Sequence, residues 1–323
     1  MPGPATTVAV ITPAVLGYFN RLLLLRNKPK LIHALFGDRE NMPSGKGKTI
    51  IWRRWAQLPT RTTEVLEGIT PDADQLSKQD ISATVAQYIG WTLITDVLEF
   101  TCENKILNVA TSELNDQMHR TEDELIRNVL VSSASSTTAS KGEPEVTCLN
   151  TEDIDTVANL LTNADASTVA PMIKASVGQG TTPVMAAFWM LMNTALNRDL
   201  RRCAGFIKTT EYANQGGIMP AERGSVEEVR VLASSIAHKQ GSATEAFPAT
   251  AGTYYYNAII AKHGYGVVDL KALNASLIIH GKGSAGAADP ADQRQTAAWK
   301  MMTVCRILND NNIHVLKVTK RSD

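Results

Sequence analysis

Gly47-Lys48-Thr49 has the ending of a phosphate-binding loop. In such a loop, backbone N–H groups cradle phosphates and the Lys reaches the terminal ones. The motif also needs a Gly five positions before Gly47, and that position is Met42. The loop should open a helix, whereas KTIIWRRW has the Ile- and Trp-rich composition of a strand. The triplet therefore does not point to a nucleotide site. The six His residues stand at 33, 119, 238, 263, 280 and 314. No two are at helical ligand spacing, and none joins a Cys at zinc spacing. No Ser lies in a G-x-S-x-G elbow. Glu122, Asp123 and Glu124 fall inside a helical pattern, where a solvated face is the plainer reading than paired catalytic carboxylates. Trp52-Arg53-Arg54-Trp55 could stack on bases. On a strand, however, Trp52 and Arg54 share one face and Arg53 and Trp55 the other. Cation–π or interface packing fits that alternation better. The expectation is a protein that is not an enzyme and needs no cofactor or metal.

The element that must position everything else is a long helix, expected from about Asp96 to Ser132 without Pro or Gly. Asp96 and Glu99 have capping-box spacing. Leu107, Ala110, Leu114, Met118, Thr121, Leu125 and Val129 mark one helical face. Such a helix would be about 55 Å long. Glu103, Glu113, Asp116, Glu122 and Glu124 lie opposite, on a face that is wet or meets cations. The helix should end in SSASSTTASKG, a tract of poor helix formers.

The chain has 323 residues, 44% of them hydrophobic, enough for a sizeable core and two or three lobes. Its formal net charge is zero, which excludes nucleic-acid binding by bulk attraction. The charge is unevenly spread. Residues 1–62 hold ten Lys/Arg against Asp38 and Glu40, and residues 63–128 hold thirteen Asp/Glu against four Lys/Arg. The two regions could attract each other, within one chain or between copies. Cys102, Cys148, Cys203 and Cys305 are far apart, which favours free thiols over a disulfide frame. No apolar run reaches the roughly 18 residues of a membrane span. The N-terminus is too polar and Pro-broken for a signal peptide.

Taken in order, residues 1–20 read as an extended arm, and Tyr18–Leu25 as a short apolar segment leading into Arg26, Lys28 and Lys30. Gly37–Gly47 reads as loop. Lys48–Leu58 and Ile81–Leu93 read as two strands, the second alternating Ile81, Ala83, Val85, Ile89, Trp91 and Leu93 with polar residues. The long polar stretch between them is expected to be functional or interface-forming. A two-stranded projection has little core of its own, and a second copy is the simplest cover. Further on, Thr151–Asn163 reads as a helix capped by Thr151, and Val184–Leu200 as a buried strand running into a helix. A strand is expected at Val229–Leu232, then a Gly/Ser/Ala/Pro-rich loop at Ser235–Thr253. Tyr254–Ala261, Val267–Leu270, Leu277–His280 and Ile313–Val318 read as strands. Gly281–Pro290 reads as a turn, and Gln293–Asn309 as part strand, part helix.

An arm, a two-stranded projection, a spine helix and a mixed lobe, in that order, resemble the tailed-bacteriophage major capsid protein of Hong Kong 97 type. Several stretches resemble the coat-protein family of coliphage N-four-type viruses. They are Gly47-Lys48-Thr49 with Trp52-Arg53-Arg54, Leu66-Glu67-Gly68-Ile69-Thr70-Pro71, Gln87-Tyr88 with Thr95-Asp96, and Asp199-Leu200-Arg201. Tyr265-Gly266, Asp289-Pro290, Gln293, Trp299-Lys300 and Ile307-Leu308-Asn309 resemble the C-terminal signature. Gly90 departs from the family pattern, standing two residues after Tyr88 rather than beside it.

The resemblance implies an α+β fold divided into an N-terminal arm (1–36), an extended loop (37–95), a peripheral domain with the spine helix (96–150), an axial domain (151–288) and a C-terminal return (289–323). It implies self-assembly into hexamers and pentamers of an icosahedral shell enclosing double-stranded DNA, without sequence-specific binding. Portal, scaffolding or cementing proteins would be partners, with no membrane. The protein would be made in a bacterial cytoplasm and reside in the virion. Subunit contacts are expected at Trp52, Arg53, Arg54, Trp55, Glu64, Glu67, Pro71 and Asp72. Zero net charge suits a container whose wall should not grip its genome. Two alternatives stay open: a cellular nanocompartment shell of the same fold, and an enzyme or nucleic-acid-binding protein of unrelated α+β fold.

Overall fold

The computed structural model describes residues 28–43, 45, 47–65, 67–68, 70–101, 106–133, 135–140, 147–174, 184–213, 217–239, 254–270, 276–284 and 289–321. The expected arm and the Tyr18–Leu25 segment lie outside the described residues, as does most of the Ser235–Thr253 loop.

The elements begin with β1 (Asp38–Met42), β2 (Thr49–Trp55), β3 (Lys78–Thr84) and β4 (Ala86–Thr95). Helices α1 (Asp96–Thr101) and α2 (Ile106–Val131) follow, then β5 (Ser136–Thr138), α3 (Thr151–Asn163), β6 (Phe188–Asn193) and α4 (Asn197–Leu200). The rest is β7 (Ile207–Lys208), β8 (Glu222–Val226), β9 (Val229–Ser234), β10 (Tyr254–Ile260), β11 (Tyr265–Leu270), β12 (Ser276–His280), β13 (Arg294–Ile307) and β14 (Ile313–Thr319).

Three sheets result. A seven-stranded sheet runs β5-β14-β10-β6-β9-β8-β7. A five-stranded sheet centres on β13, with β4 along one edge, β11 and β12 along the other, and β1 outside β11. β2 and β3 form a separate antiparallel pair.

The seven-stranded sheet is buried on both faces, so its central strands are almost wholly apolar. Phe188, Met190 and Met192 of β6 point to the side where α3 packs with Ile154, Val157, Ala158 and Leu161. Trp189 and Leu191 point the other way, towards Ile32, Ile126 and Leu130. Asn150 caps α3, its Oδ1 accepting from the Asp153 N–H at 2.9 Å. The cap is thus one residue earlier than the expected Thr151, whose hydroxyl donates to the Ala204 carbonyl instead.

α2 joins the two large sheets. Its expected stripe is real: Leu114 and Met118, with Leu107 and Leu125 beside them, pack on Ala297, Trp299 and Met301 of β13. A second face appears towards the C-terminal end, where Ile126 and Leu130 enter the core around Trp189 and Tyr265. Residues 102–105, between α1 and α2, lie outside the described residues. Glu99 pairs with Lys282 at 2.7 Å, and Asp96 Oδ1 accepts from the Val97 N–H at 2.7 Å.

The acidic face of α2 meets cations, as expected. They come from this chain's own leading segment: Lys28–Asp116 at 2.7 Å and Arg39–Glu122 at 2.7 Å, while the His33 ring contacts Asp123 at 2.7 Å. The last pair is buried, and Asp123 Oδ1 also accepts from the backbone N–H groups of His33 and Ala34.

Three expectations are corrected, and a fourth, the helix end in the Ser/Thr tract, holds and is extended. Ile81–Leu93 is not one strand: the chain changes sheets at Val85, so β3 pairs with β2 and β4 with β13. Asp38–Met42 is not loop but a strand parallel to β11. Gln293–Asn309 holds no helix, because pairing on both edges draws β13 into a 14-residue strand. The Ser/Thr tract after α2 includes β5, which extends the seven-stranded sheet. Gly90 has a packing role. It faces Trp299 across the ladder, where a Cβ would lie 2.4 Å from the indole Nε1. The open position lets that N–H donate to Gln117 Oε1 at 2.9 Å and fixes α2 on the sheet.

Candidate subunit interface

The β2–β3 pair starts at the body and leaves it. Ile50 and Trp52 turn inward and pack with Met42, Val85, Val268 and Met302. Trp52 lies over Gly266, where even a Cβ would come within 3.0 Å of the indole. Of the expected contact residues, Trp52 is therefore the one that roots the projection. Beyond it the stem is exposed. Arg53 makes a two-pronged contact with its cross-strand partner Asp80, at 2.8 and 3.3 Å. That hydrogen-bonded guanidinium holds the Asp80 carboxyl below its ordinary range and raises Arg53. Arg54 donates to Gln79 Oε1 at 2.8 Å, and Trp55 stands 56% exposed.

Residues 56–77 form the tip. Arg61 organises it, pairing with Asp74 at 2.8 Å and donating to the Asp72 carbonyl. Hydrogen bonding to Arg61 holds the Asp74 carboxyl low. Glu64, Glu67, Pro71 and Asp72 are all exposed, as are the apolar Leu58, Val65 and Leu76. Folding within one chain thus brings Arg53 to Asp80 and Arg54 to Gln79. Glu64, Glu67 and Pro71 point to solvent.

A second exposed surface was not singled out from the sequence. Helix α2 covers one face of the five-stranded sheet, and the root of the projection covers the β11 end of the other, whose β4–β12 part is left open. On that open face Trp91, Ala298 and Ile278 form one cross-strand row, with Ile89 beside them. Leu277 and Ile279 are also exposed on β12, but on the opposite face, beside Trp299 and Ala297. Contiguous uncovered apolar surface of this kind marks an interaction site. The signal was present as the alternation of Ile89 and Trp91, whose apolar side is the uncovered one.

Among the described residues no group of His, Cys, Asp and Glu could hold a metal ion, and no helix is long and apolar enough to cross a membrane. Cys148 and Cys305 are free thiols, and the Cys203 thiol donates to the Asp199 carbonyl at 3.5 Å.

No family model matches the sequence, and no curated protein matches it. Solved structures do match over nearly the whole chain. The capsid of Ralstonia phage GP4 aligns with a TM-score of 0.69 at 12% identity, covering 99% of both chains. This is the fold of a tailed-phage major capsid protein. The head structure of Helicobacter pylori bacteriophage KHP40 aligns with a TM-score of 0.65 at 10% identity, covering 98% of this chain and 97% of the other. The capsid of cyanophage P-SCSP1u gives 0.64 at 12% identity, covering 95% and 94%.

Proposed function

We propose that this chain is the shell subunit of a tailed-phage head. Copies assemble into hexamers and pentamers of an icosahedral capsid that encloses double-stranded DNA, and the protein works by assembly rather than catalysis. The observation that carries this reading is the likeness to phage capsid chains, over 99% of both chains in the alignment with the capsid of Ralstonia phage GP4. In Hong Kong 97 terms, the five-stranded sheet with α2 corresponds to the peripheral domain and the seven-stranded sheet to the axial domain. Residues 1–36 act as the arm and the β2–β3 projection as the extended loop. Portal, scaffolding or cementing proteins complete the particle, which is built in the host cytoplasm.

The tip at 56–77 lies over the next copy, and Trp55, Glu64, Glu67, Pro71 and Asp72 contribute to that contact. Its support is physical: a tip with three exposed apolar side chains among its described residues and no core of its own needs a surface to cover it. The open face around Trp91 and Ile278 offers one. Each contact can be weak, because closure makes them multivalent. Electron microscopy of the purified protein tests the reading, together with a variant in which a short turn replaces Thr60–Ser77. The full chain should form closed shells and the variant only soluble subunits or capsomers. Small oligomers from the full chain would overturn the shell reading, and normal shells from the variant would overturn the role of the tip.

A further inference from the structure

The seven-stranded sheet ends in a cleft of about 390 Å³ beside α4, with Arg201, Lys208 and Arg223 on its walls and Asn197, Thr209 and Thr210 among its polar groups. The cations come from three separate segments, and all three side chains are exposed. The register sets Lys208 opposite Gly224, next to Arg223. A fourth segment joins them at the end of β14. There Asp199 Oδ2 accepts from the Arg321 backbone N–H at 3.1 Å, which brings Lys320 and Arg321 to the turn that carries Arg201 and Arg202.

Counter-charge is sparse. Glu222 also borders the cleft, but its carboxylate is buried and committed to Arg230 at 2.8 Å by a two-pronged contact. Glu211 sits 4.0 Å from Lys208. Glu227, against Gly205, and Glu152, beside the Thr151–Ala204 contact, lie at the margin. Six exposed cations (Arg201, Arg202, Lys208, Arg223, Lys320 and Arg321) thus face three exposed carboxylates.

We infer that this cationic cleft is a docking surface for the phosphodiester backbone of nucleic acid. Four of the six cations are Arg, whose planar fork matches phosphate oxygens. The Thr hydroxyls and the Asn amide are the neutral donors that fill out backbone contacts. An acidic peptide would need apolar anchors to be held. Among the described residues between 186 and 270, no large apolar side chain is exposed. Among the described residues no helix or strand projects from the cleft to read base edges, so recognition is electrostatic and independent of sequence. The zero net charge of the whole chain conceals this local surface. The biological setting rests on the shell reading: this would be the face turned towards the enclosed genome.

The test uses the full chain and a fluorescein-labelled duplex of about 20 base pairs, read by anisotropy between about 50 and 200 mM salt. Affinity should fall with salt, with a log–log slope of about −0.9 for each phosphate neutralised. Arg201→Ala with Arg223→Ala should make that slope shallower by about 2, since two contacts are removed. Lys174→Ala with Lys262→Ala should leave it unchanged. An Arg201/Arg223 variant that binds as the parent does would overturn the inference. So would displacement of the duplex by polyglutamate at equal charge concentration, which would mark a surface for acidic protein. Electron microscopy of the same preparations separates the two readings. Because closed shells would hide the cleft, the duplex is added to dissociated subunits before assembly; subunits that bind none of it yet go on to form shells would overturn this inference alone, and duplex affinity without shells would overturn the shell reading alone.

Discussion

Asp123 should be among the most costly residues to replace on α2, although it belongs to a run of three acids with every appearance of a solvated face. Asp123 is 1% exposed and His33 3%. Its two oxygens receive the His33 backbone N–H at 2.8 Å, the Ala34 N–H at 3.3 Å and the His33 ring at 2.7 Å. Tyr265 completes the clamp by donating its hydroxyl to the His33 carbonyl at 2.5 Å. Asp123→Ala strands two backbone donors and an imidazole in a dry site. Breaking a buried pair from one side costs about 3–5 kcal/mol. Ala is the better helix former by about 0.5 kcal/mol, which acts in the opposite direction and is several-fold smaller. The net loss should therefore be about 3–4 kcal/mol, read from the midpoint of urea unfolding at constant slope. His33→Ala and the double variant complete a cycle, and the coupling should exceed about 1 kcal/mol. Limited trypsin digestion should also show faster cleavage at Lys30 and Arg39 in the variant. A cost below about 1 kcal/mol, or strict additivity with His33→Ala, would refute the clamp.

Three further outcomes are expected. Burial first, then the charges of Arg127 and His33, pushes the His238 pKa down from 6.5 to about 4. Below pH 6.5 the unfolded chain binds a proton that the folded chain refuses, so stability should fall between pH 6.5 and 4 by up to about 3 kcal/mol. His238→Gln should flatten most of that window, leaving the smaller contribution in the same direction from half-buried His314, and an unchanged pH profile would count against the assignment. Leu114→Ala and Leu130→Ala should each lower stability by about 2–5 kcal/mol, while exposed Glu124→Ala should stay within about 0.5 kcal/mol; equal melting temperatures would deny α2 its two buried faces. Gly90→Ala should cost about 1–3 kcal/mol by overpacking and shift the Trp299 fluorescence, and a silent substitution would show that the indole has room to move.

The legible parts of the sequence were those in which one periodicity met one environment. Leu114, Met118 and Leu125 share a face against one sheet, so the stripe could be read directly. The second face, at Ile126 and Leu130, is interrupted by Asp123 and Arg127, and charged residues at those positions disguise burial. The switch at Val85 is a tertiary event. The alternation continues through it, and no Gly or Pro marks the change of partner. In β13, Ala297, Ala298, Met301 and Met302 favour a helix locally, and pairing along both edges overrides them. β1 reads DRENM, five residues with only one apolar side chain, and forms because Arg39 reaches Glu122 and Asp269 while its backbone pairs with β11. For the interface, alternation reveals two faces of β4 but not which one α2 will cover.

The charge asymmetry between the first 62 residues and the next 66 suggested attraction within the chain or between copies, and the fold now apportions much of it. Lys28, His33 and Arg39 are engaged by α2 of their own subunit. Arg53 is held by Asp80, Arg54 by Gln79 and Arg61 by Asp74, all within the projection. Exposed pairs of this kind contribute about 0–1 kcal/mol each, so their worth is in setting the shape of the stem and tip rather than in gripping a neighbour. What the projection still offers to another copy is Trp55, Leu58, Val65 and Leu76, with Glu64 and Glu67 around them. What the body offers is Ile89, Trp91 and Ile278, on a face that includes Lys300. Contact between these surfaces would draw mainly on apolar burial, at about 25 cal/mol per Å². The acids would select orientation. Salt screens the second term and leaves the first, so assembly should survive ionic strengths at which nucleic acid is already released from the cleft beside α4.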